Sequence, residues 1–205
     1  MSRLAAREVT GVVLAGGQGR RMGGVDKGLL PFAGRPLVAH AAGCLRPHVG
    51  ELVINANRHR DAYAEHADRV IADVEDGFQG PLMGIYSSLR AARTPWVVFI
   101  PCDSPALPED LVERLVTGLA ERGEGTDILV AHDGERLHPV VALMRRSLAD
   151  DLYQALLAGE RKIDRWYARH AWAPHDLSDC AAAFANLNTE EERVRLEAQL
   201  SEARP

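Results

Sequence analysis

Apolar residues along this chain come in short unbroken runs, and between the runs they recur at helical spacing. The runs are 10–15 (TGVVLA), 51–57 (ELVINAN), 69–73 (RVIAD), 96–103 (WVVFIPCD), 127–131 (DILVA) and 138–144 (HPVVALM). Each is of strand length, and the fourth, apolar almost throughout, reads as a strand buried on both faces. The intervening segments 36–45, 58–67, 80–92, 107–123, 147–160 and 161–170 read as helices, several with proline at the start or glycine at the end. The stretch 184–188 (FANLN) reads as a last strand or a turn. Thr189 then caps a highly charged terminal helix. Strands alternating with helices predict a three-layer α/β sandwich on a mostly parallel sheet. No repeat, low-complexity stretch or linker interrupts the pattern, so residues 1–205 read as one domain.

Composition narrows the classes. Hydrophobic content of 46% and charged content of 26% suit a globular chain with a real core. A net charge of −5 without a basic run argues against general nucleic-acid binding. No apolar stretch approaches the roughly 20 residues that span a bilayer. The start, MSRLAAREV, lacks an apolar signal core, so a cytoplasmic location is expected and no membrane partner. The three cysteines, Cys44, Cys102 and Cys180, form no CxxC and read as reduced thiols. The eight histidines show no HxH or HxxxH spacing, which argues against a zinc site.

In open α/β sheets, ligands sit beyond the carboxyl ends of the strands. That rule gathers the loop after Ala15, residues 55–57 (NAN), Asp73 and the PCD ending at Asp103 around one crevice. The loop, 14–27 (LAGGQGRRMGGVDK), places five glycines beside Arg20, Arg21 and Lys27. Glycines let backbone N–H groups approach an anion closely, and the cations favour a phosphate. It is not a Walker A loop, because Asp26 precedes Lys27 and Gly28 follows it. Nor is it a dinucleotide fingerprint starting at Gly17, because Met22 stands where the third glycine belongs. A solvated surface loop is the bland alternative.

The segments LAGGxGxRMGGxDK, GGVDKGLLPFAGRPL, VINANRH, GPLMGI, PCDSP, HDGERLHPVVAL, AGERK and FANLNTEEE together resemble the molybdenum cofactor guanylyltransferase family, within the NTP-transferase superfamily. The resemblance spans nearly the whole chain. It implies a Rossmann-like fold and a nucleotidyltransferase that uses Mg²⁺. GMP would pass from GTP to the terminal phosphate of molybdopterin, with or without molybdenum, and pyrophosphate would be released. It also implies transient contact with cofactor-biosynthesis proteins and apo-molybdoenzymes.

The resemblance assigns Leu14, Ala15, Gly16, Gly17, Asn55 and Asp73 to the nucleotide, and Asn186 and Asn188 to the acceptor. A phosphate monoester carries nearly two negative charges at neutral pH and needs no general base. The protein should supply cations and positioning instead. Lys27, backed by Arg21, fits that need. Asp103 ends an apolar strand and suits Mg²⁺, which takes one or two carboxylates plus phosphate oxygens and water. The resemblance places the metal ligand there too, against the alternative of a helix cap. Asn55 and Asp73 could likewise be turn and cap residues. In the C-terminal part, His132, Arg136, His138, Arg161 and Lys162 are candidates for the pterin side, with a solvated helix start as the alternative for the last two. A cytidylyltransferase, a sugar-phosphate nucleotidyltransferase and a non-catalytic GTP- or pterin-binding carrier stay open as other readings.

Overall fold

The computed structural model describes residues 4–16, 26–75, 80–187 and 189–202. In chain order the elements are β1 (Val9–Leu14), β2 (Pro31–Phe32), β3 (Arg35–Pro36), α1 (Leu37–Leu45), β4 (Glu51–Asn55), α2 (Arg60–Ala64), β5 (Arg69–Ile71) and α3 (Pro81–Ala91). They continue with β6 (Trp96–Pro101), α4 (Leu111–Arg122), β7 (Ile128–His132), β8 (Leu137–Arg145), α5 (Ala149–Leu157), α6 (Ile163–Tyr167), β9 (Trp172–Asp176) and α7 (Glu190–Glu202).

Seven strands form one sheet in the order β5-β4-β1-β6-β8-β7-β9, and β2 pairs with β3 in a small hairpin. Only β8 runs against its neighbours in the large sheet. Side chains alternate between its faces, as strand geometry requires. Val98 and Ile100 of β6 join one apolar cluster with Ala41 and Leu45 of α1 and Leu111 and Leu115 of α4. Val97 and Phe99 join the other, with Leu82 and Ile85 of α3, Leu152 of α5 and Trp166 of α6. The mostly parallel, three-layer α/β architecture is the one the sequence pattern predicts.

Two local expectations need correction. Of the two readings of 184–188, strand or turn, the strand fails, since residues 184–187 contain none, and the last strand among the described residues is β9. Its sequence, WAPHD, hides the strand because Pro174 interrupts it, and proline is tolerated only where a ladder N–H is dispensable. β9 is an edge strand, paired with β7 alone. Helix α4 begins at Leu111 rather than at Pro108, which instead forms a turn by accepting the Leu111 N–H at 3.1 Å. The cap on α7 is present and reciprocal. The Glu192 N–H donates to Thr189 Oγ1 at 3.2 Å, and the Thr189 N–H donates to Glu192 Oε2 at 2.9 Å. Leu196 of this helix packs with Phe32 and Leu37, and the Ala33 N–H donates to Glu197 Oε1 at 2.9 Å.

Candidate functional site

The carboxyl ends of β1, β4, β5 and β6 open into one cavity of about 370 Å³, lined by Leu14, Gly16, Asn55, Asp73, Asp103 and Gly84 among others. That size is in the range of small-molecule sites. Backbone bonds carry the ladder past the strand ends and hold them in line. The Ala15 N–H donates to Asn55 O at 2.9 Å, and the Ala56 N–H to Ile71 O at 2.8 Å. The four segments gathered by the strand-end rule therefore do meet. Pro81 and Gly84 of α3 form one wall, and Val140 of β8 stands on the far side.

At one end, three polar side chains lock together. Asn55 Nδ2 donates to Asp73 Oδ1 at 3.0 Å, and Asn57 Nδ2 donates to Asp73 Oδ2 at 2.8 Å. Asn57 Oδ1 in turn accepts the Asp73 backbone N–H at 2.8 Å. Neither Asn55 nor Asp73 caps a helix in this arrangement. Asn55 is 2% exposed, and it fits only because residue 84 has no side chain. A Cβ on Gly84 would lie 2.7 Å from Asn55 Oδ1. Glycine inside a helix costs about 1 kcal/mol relative to alanine, and here it makes room for a pocket residue.

At the other end, Lys27 Nζ donates to Asp103 Oδ2 at 2.7 Å, with both side chains about one-fifth exposed. Asp103 is eight residues before the first residue of α4, so the helix-cap alternative fails on position. Cys102, beside it, is buried, and its thiol is pushed up to about 12 by that burial and by the Asp103 charge. It packs in the apolar cluster beneath the strand ends. Tyr63 of α2 donates its hydroxyl to Asp26. Among the described residues, no cluster of three or more His, Cys, Asp or Glu side chains is arranged for a metal.

Beyond β6 the sheet is irregular. β8 pairs with β6 only from Ala142 to Arg145, and its register against β7 jumps between Val130 and Ala131. The loosened stretch 139–141 carries Val140 into the cavity wall, while Tyr167 donates its hydroxyl to Pro139 O at 2.7 Å. His138 Nε2 lies 2.6 Å from Asp133 Oδ2, and its ring stacks on Phe184 at 4.4 Å. Asp133 Oδ1 accepts the N–H groups of Arg136 and Glu135 at 2.8 and 2.9 Å. The Arg136 N–H and the His138 ring together hold its carboxyl well below the usual range. Asn186 is exposed near Asp103. Its Oδ1 accepts the Ser104 hydroxyl at 2.6 Å, and the next residue's N–H, Leu187, donates to Asp103 O at 2.8 Å.

The structure thus brings Leu14, Gly16, Asn55, Asp73 and Asp103 to one crevice, with Ala15 packed in the apolar cluster, Lys27 held on Asp103, and Asn186 beside Asp103 through Ser104 and Leu187. His138 is two residues from the lining residue Val140 and is not itself part of the lining. Arg161 and Lys162 are exposed in the α5–α6 loop and do not line the cavity. Arg161 Nη1 donates to Leu156 O at 2.8 Å, closing the end of α5. Gly17, Arg20, Arg21 and Asn188 lie outside the described residues. His132 accepts the Gly134 N–H on Nδ1 at 3.0 Å and so serves the turn after β7. Sequence reasoning missed Asn57 as the support of Asp73, the bond from Ser104 to Asn186, and Tyr63 altogether. The NAN pattern signals Asn57, but nothing local reveals the other two.

The sequence matches the MobA-like NTP transferase domain over residues 11–174. It is 45% identical to molybdenum cofactor guanylyltransferase of Shewanella sediminis over 96% of this chain and 97% of that one. It is 44% identical to the enzyme of the same name from Shewanella amazonensis, over 95% and 98%. Among solved structures, molybdopterin-guanine dinucleotide biosynthesis protein A of Archaeoglobus fulgidus is similar with a TM-score of 0.76 at 25% identity, over 94% of this chain and 99% of that one.

Proposed function

Since the chain belongs to the MobA-like NTP transferase family, and is thus a nucleotidyltransferase, we propose that it transfers GMP from GTP to the terminal phosphate of molybdopterin, forming the guanine dinucleotide and releasing pyrophosphate. The observation that carries the reading is the crevice itself. A polar end made by Asn55 and Asp73, braced by Asn57, and a charged end made by Asp103, paired with Lys27, share one cavity. Guanine presents N1–H and N2–H₂ donors and an O6 acceptor, which carboxylate, amide and backbone groups at the first end can meet. The triphosphate then runs toward Lys27.

An oxygen of the acceptor phosphate attacks the α-phosphorus. The bond from that phosphorus to the β-bridging oxygen breaks, and pyrophosphate departs with the electron pair. No side chain has to remove a proton, because the attacking oxygen is already anionic. What limits the reaction is repulsion between two anions, and the chain answers with Lys27 and, by resemblance, Arg21. Asn186, held next to Asp103 by Ser104, holds the acceptor, with Asn188 and His138 as further candidates and with Arg161 and Lys162, outside the cavity lining, reaching it only if the acceptor extends past the crevice. Mg²⁺ fits the donor set, since Asp103 offers one hard carboxylate and phosphate oxygens and water complete such a shell. When bound, the ion neutralises charge on the phosphates and on the departing pyrophosphate. We place this reaction in the cytoplasm, upstream of delivery to apo-molybdoenzymes. Among the described residues, no helix is long and apolar enough to cross a membrane.

The test is pyrophosphate release with each of the four ribonucleoside triphosphates, with and without molybdopterin. GTP with molybdopterin should react fastest. Equal turnover with CTP would refute guanine selectivity and leave the nucleotidyl transfer standing. Tight GTP binding with no pyrophosphate released would favour a carrier.

A further inference from the structure

Tyr63 sits on α2, a helix of five residues between β4 and β5, and its side chain is completely buried. It belongs to the same apolar cluster as Ala15, Ile54, Ala56 and Cys102, directly beneath the strand ends that form the crevice. Its hydroxyl leaves that cluster to donate to the carboxylate of Asp26. On the other side of Lys27, Gly28 is buried against the same ring. A Cβ there would lie 3.1 Å from Tyr63 Cε1 and 3.2 Å from Cζ, and closer still to the hydroxyl. This explains why the residue after the lysine is glycine and not the serine or threonine of a Walker A loop. Both neighbours of Lys27 therefore rest on one phenol, and Lys27 itself extends to Asp103.

A buried tyrosine hydroxyl needs an acceptor, and a carboxylate is the strongest one available. Burial and the Asp26 contact also push the Tyr63 hydroxyl upward, so it remains a donor throughout the working range. The bond does two things at once. It fixes the backbone from which Lys27 projects. It also draws the acidic side chain next to Lys27 onto the core and away from an incoming polyphosphate. The geometry points to Tyr63 and Asp26 as positioning residues for Lys27, a strut from the core to the phosphate-facing lysine. This inference rests on reading the crevice as a nucleoside triphosphate site.

The experiment compares Tyr63→Phe, Asp26→Asn, Asp26→Ala and the double variant Tyr63→Phe/Asp26→Ala. It measures GTP affinity by calorimetry, the KM values of both substrates, kcat, and thermal melts. Loss of a hydrogen bond to a charged group predicts GTP binding about tenfold weaker in Tyr63→Phe and Asp26→Ala. KM for molybdopterin should stay within about twofold, because the acceptor rim is untouched. Asp26→Asn keeps an oxygen that accepts the hydroxyl, and should bind GTP within about threefold of wild type. The double variant should match Asp26→Ala, since with Asp26 gone the tyrosine hydroxyl has neither a bond to keep nor a charge to hold back. The inference is overturned if Tyr63→Phe binds GTP normally, if Asp26→Asn is as impaired as Asp26→Ala, or if the losses multiply. A general packing defect would instead lower the melting temperature and shift both KM values together, which also overturns it. Wild type tests the underlying reading separately. If it prefers another triphosphate, guanine selectivity fails and the variants are scored on that nucleotide with the same expectations. If it binds none, both fail.

Discussion

The two sides of the crevice are built by different means. On the side proposed for the nucleotide, Leu14, Asn55, Asp73 and Asp103 stand at or just beyond the ends of four parallel strands, Asp103 bonded to Lys27 and Asp73 to Asn57. Topology alone brings them together. On the side proposed for the acceptor, Val140 rides on a loosened part of the antiparallel strand, and Asn186 is carried by a segment without regular structure. There the groups are placed by a few individual contacts, Ser104 on Asn186, and Asp133 and the Phe184 ring on His138. A regular sheet edge constrains position cheaply, whereas an irregular rim needs a dedicated bond for each group. The nucleotide side should therefore fail where its Asn55–Asn57–Asp73 cluster or its Lys27–Asp103 pair is broken, and the acceptor side should fail one contact at a time.

Asp103 gives the largest expected effect. Asp103→Ala should lower the transfer rate by about 10²–10³, the usual cost of losing electrostatic stabilisation, with the fold intact. Asp103→Asn should also be badly impaired, and Mn²⁺ should recover part of the rate. Initial rates against magnesium concentration, with melts alongside, check this. A wild-type rate in the Asn variant would remove Asp103 from the metal site. Next in size is Asn57→Ala, which takes two hydrogen bonds from Asp73 and should raise KM for GTP about tenfold while leaving KM for molybdopterin alone. Equal rises in both would mean that the two sides are not separable.

On the acceptor side, Asn186→Ala or Asn188→Ala should weaken molybdopterin binding by about five- to tenfold and leave GTP affinity nearly unchanged. Titrations with each substrate decide it, and a parallel fall in GTP affinity would move these residues to the nucleotide or metal site. The smallest effect concerns stability. The Asp133 carboxyl is held low in the folded chain, first by the Arg136 N–H and then by His138. A depressed carboxyl stabilises the fold above its unfolded value of about 3.9, and that contribution is lost as pH falls through the folded value. Asp133→Asn should cost about 1–2 kcal/mol at neutral pH, with the gap to wild type closing under acid. Melting curves from pH 7 down to about 3 measure it, and a gap independent of pH would contradict it.

The same contrast sets what could be read from sequence. Apolar runs locate parallel strands, and the strand-end rule then collects Asn55, Asp73 and Asp103 without any knowledge of packing. The lysine-bearing loop is legible because glycine and cation density is a local property. Tyr63 and Asp26 are not, since an aromatic residue in RHRDAYAEHA reads simply as a helix anchor. Their meeting across 37 positions is decided by how α2 docks. Strand β9 escaped because edge strands tolerate the proline and charge that strand patterns exclude. Ser104 is equally illegible, since its hydroxyl goes to a residue 82 positions away.

The return of the late chain onto the early chain bears on the order of events during synthesis. β1, β4, β5 and β6 have all emerged once residue 101 is made, and they can pair with one another. Yet the backbone of Asp103 waits for Leu187, and the hairpin just after Lys27 waits for Glu197, 164 residues beyond Ala33. Contacts that distant close late, because loop entropy must be overcome before they give any return. A nascent chain therefore carries a half-built crevice whose apolar floor is formed before its rim, and competence for transfer arrives as one of the last steps of folding rather than accumulating along the way.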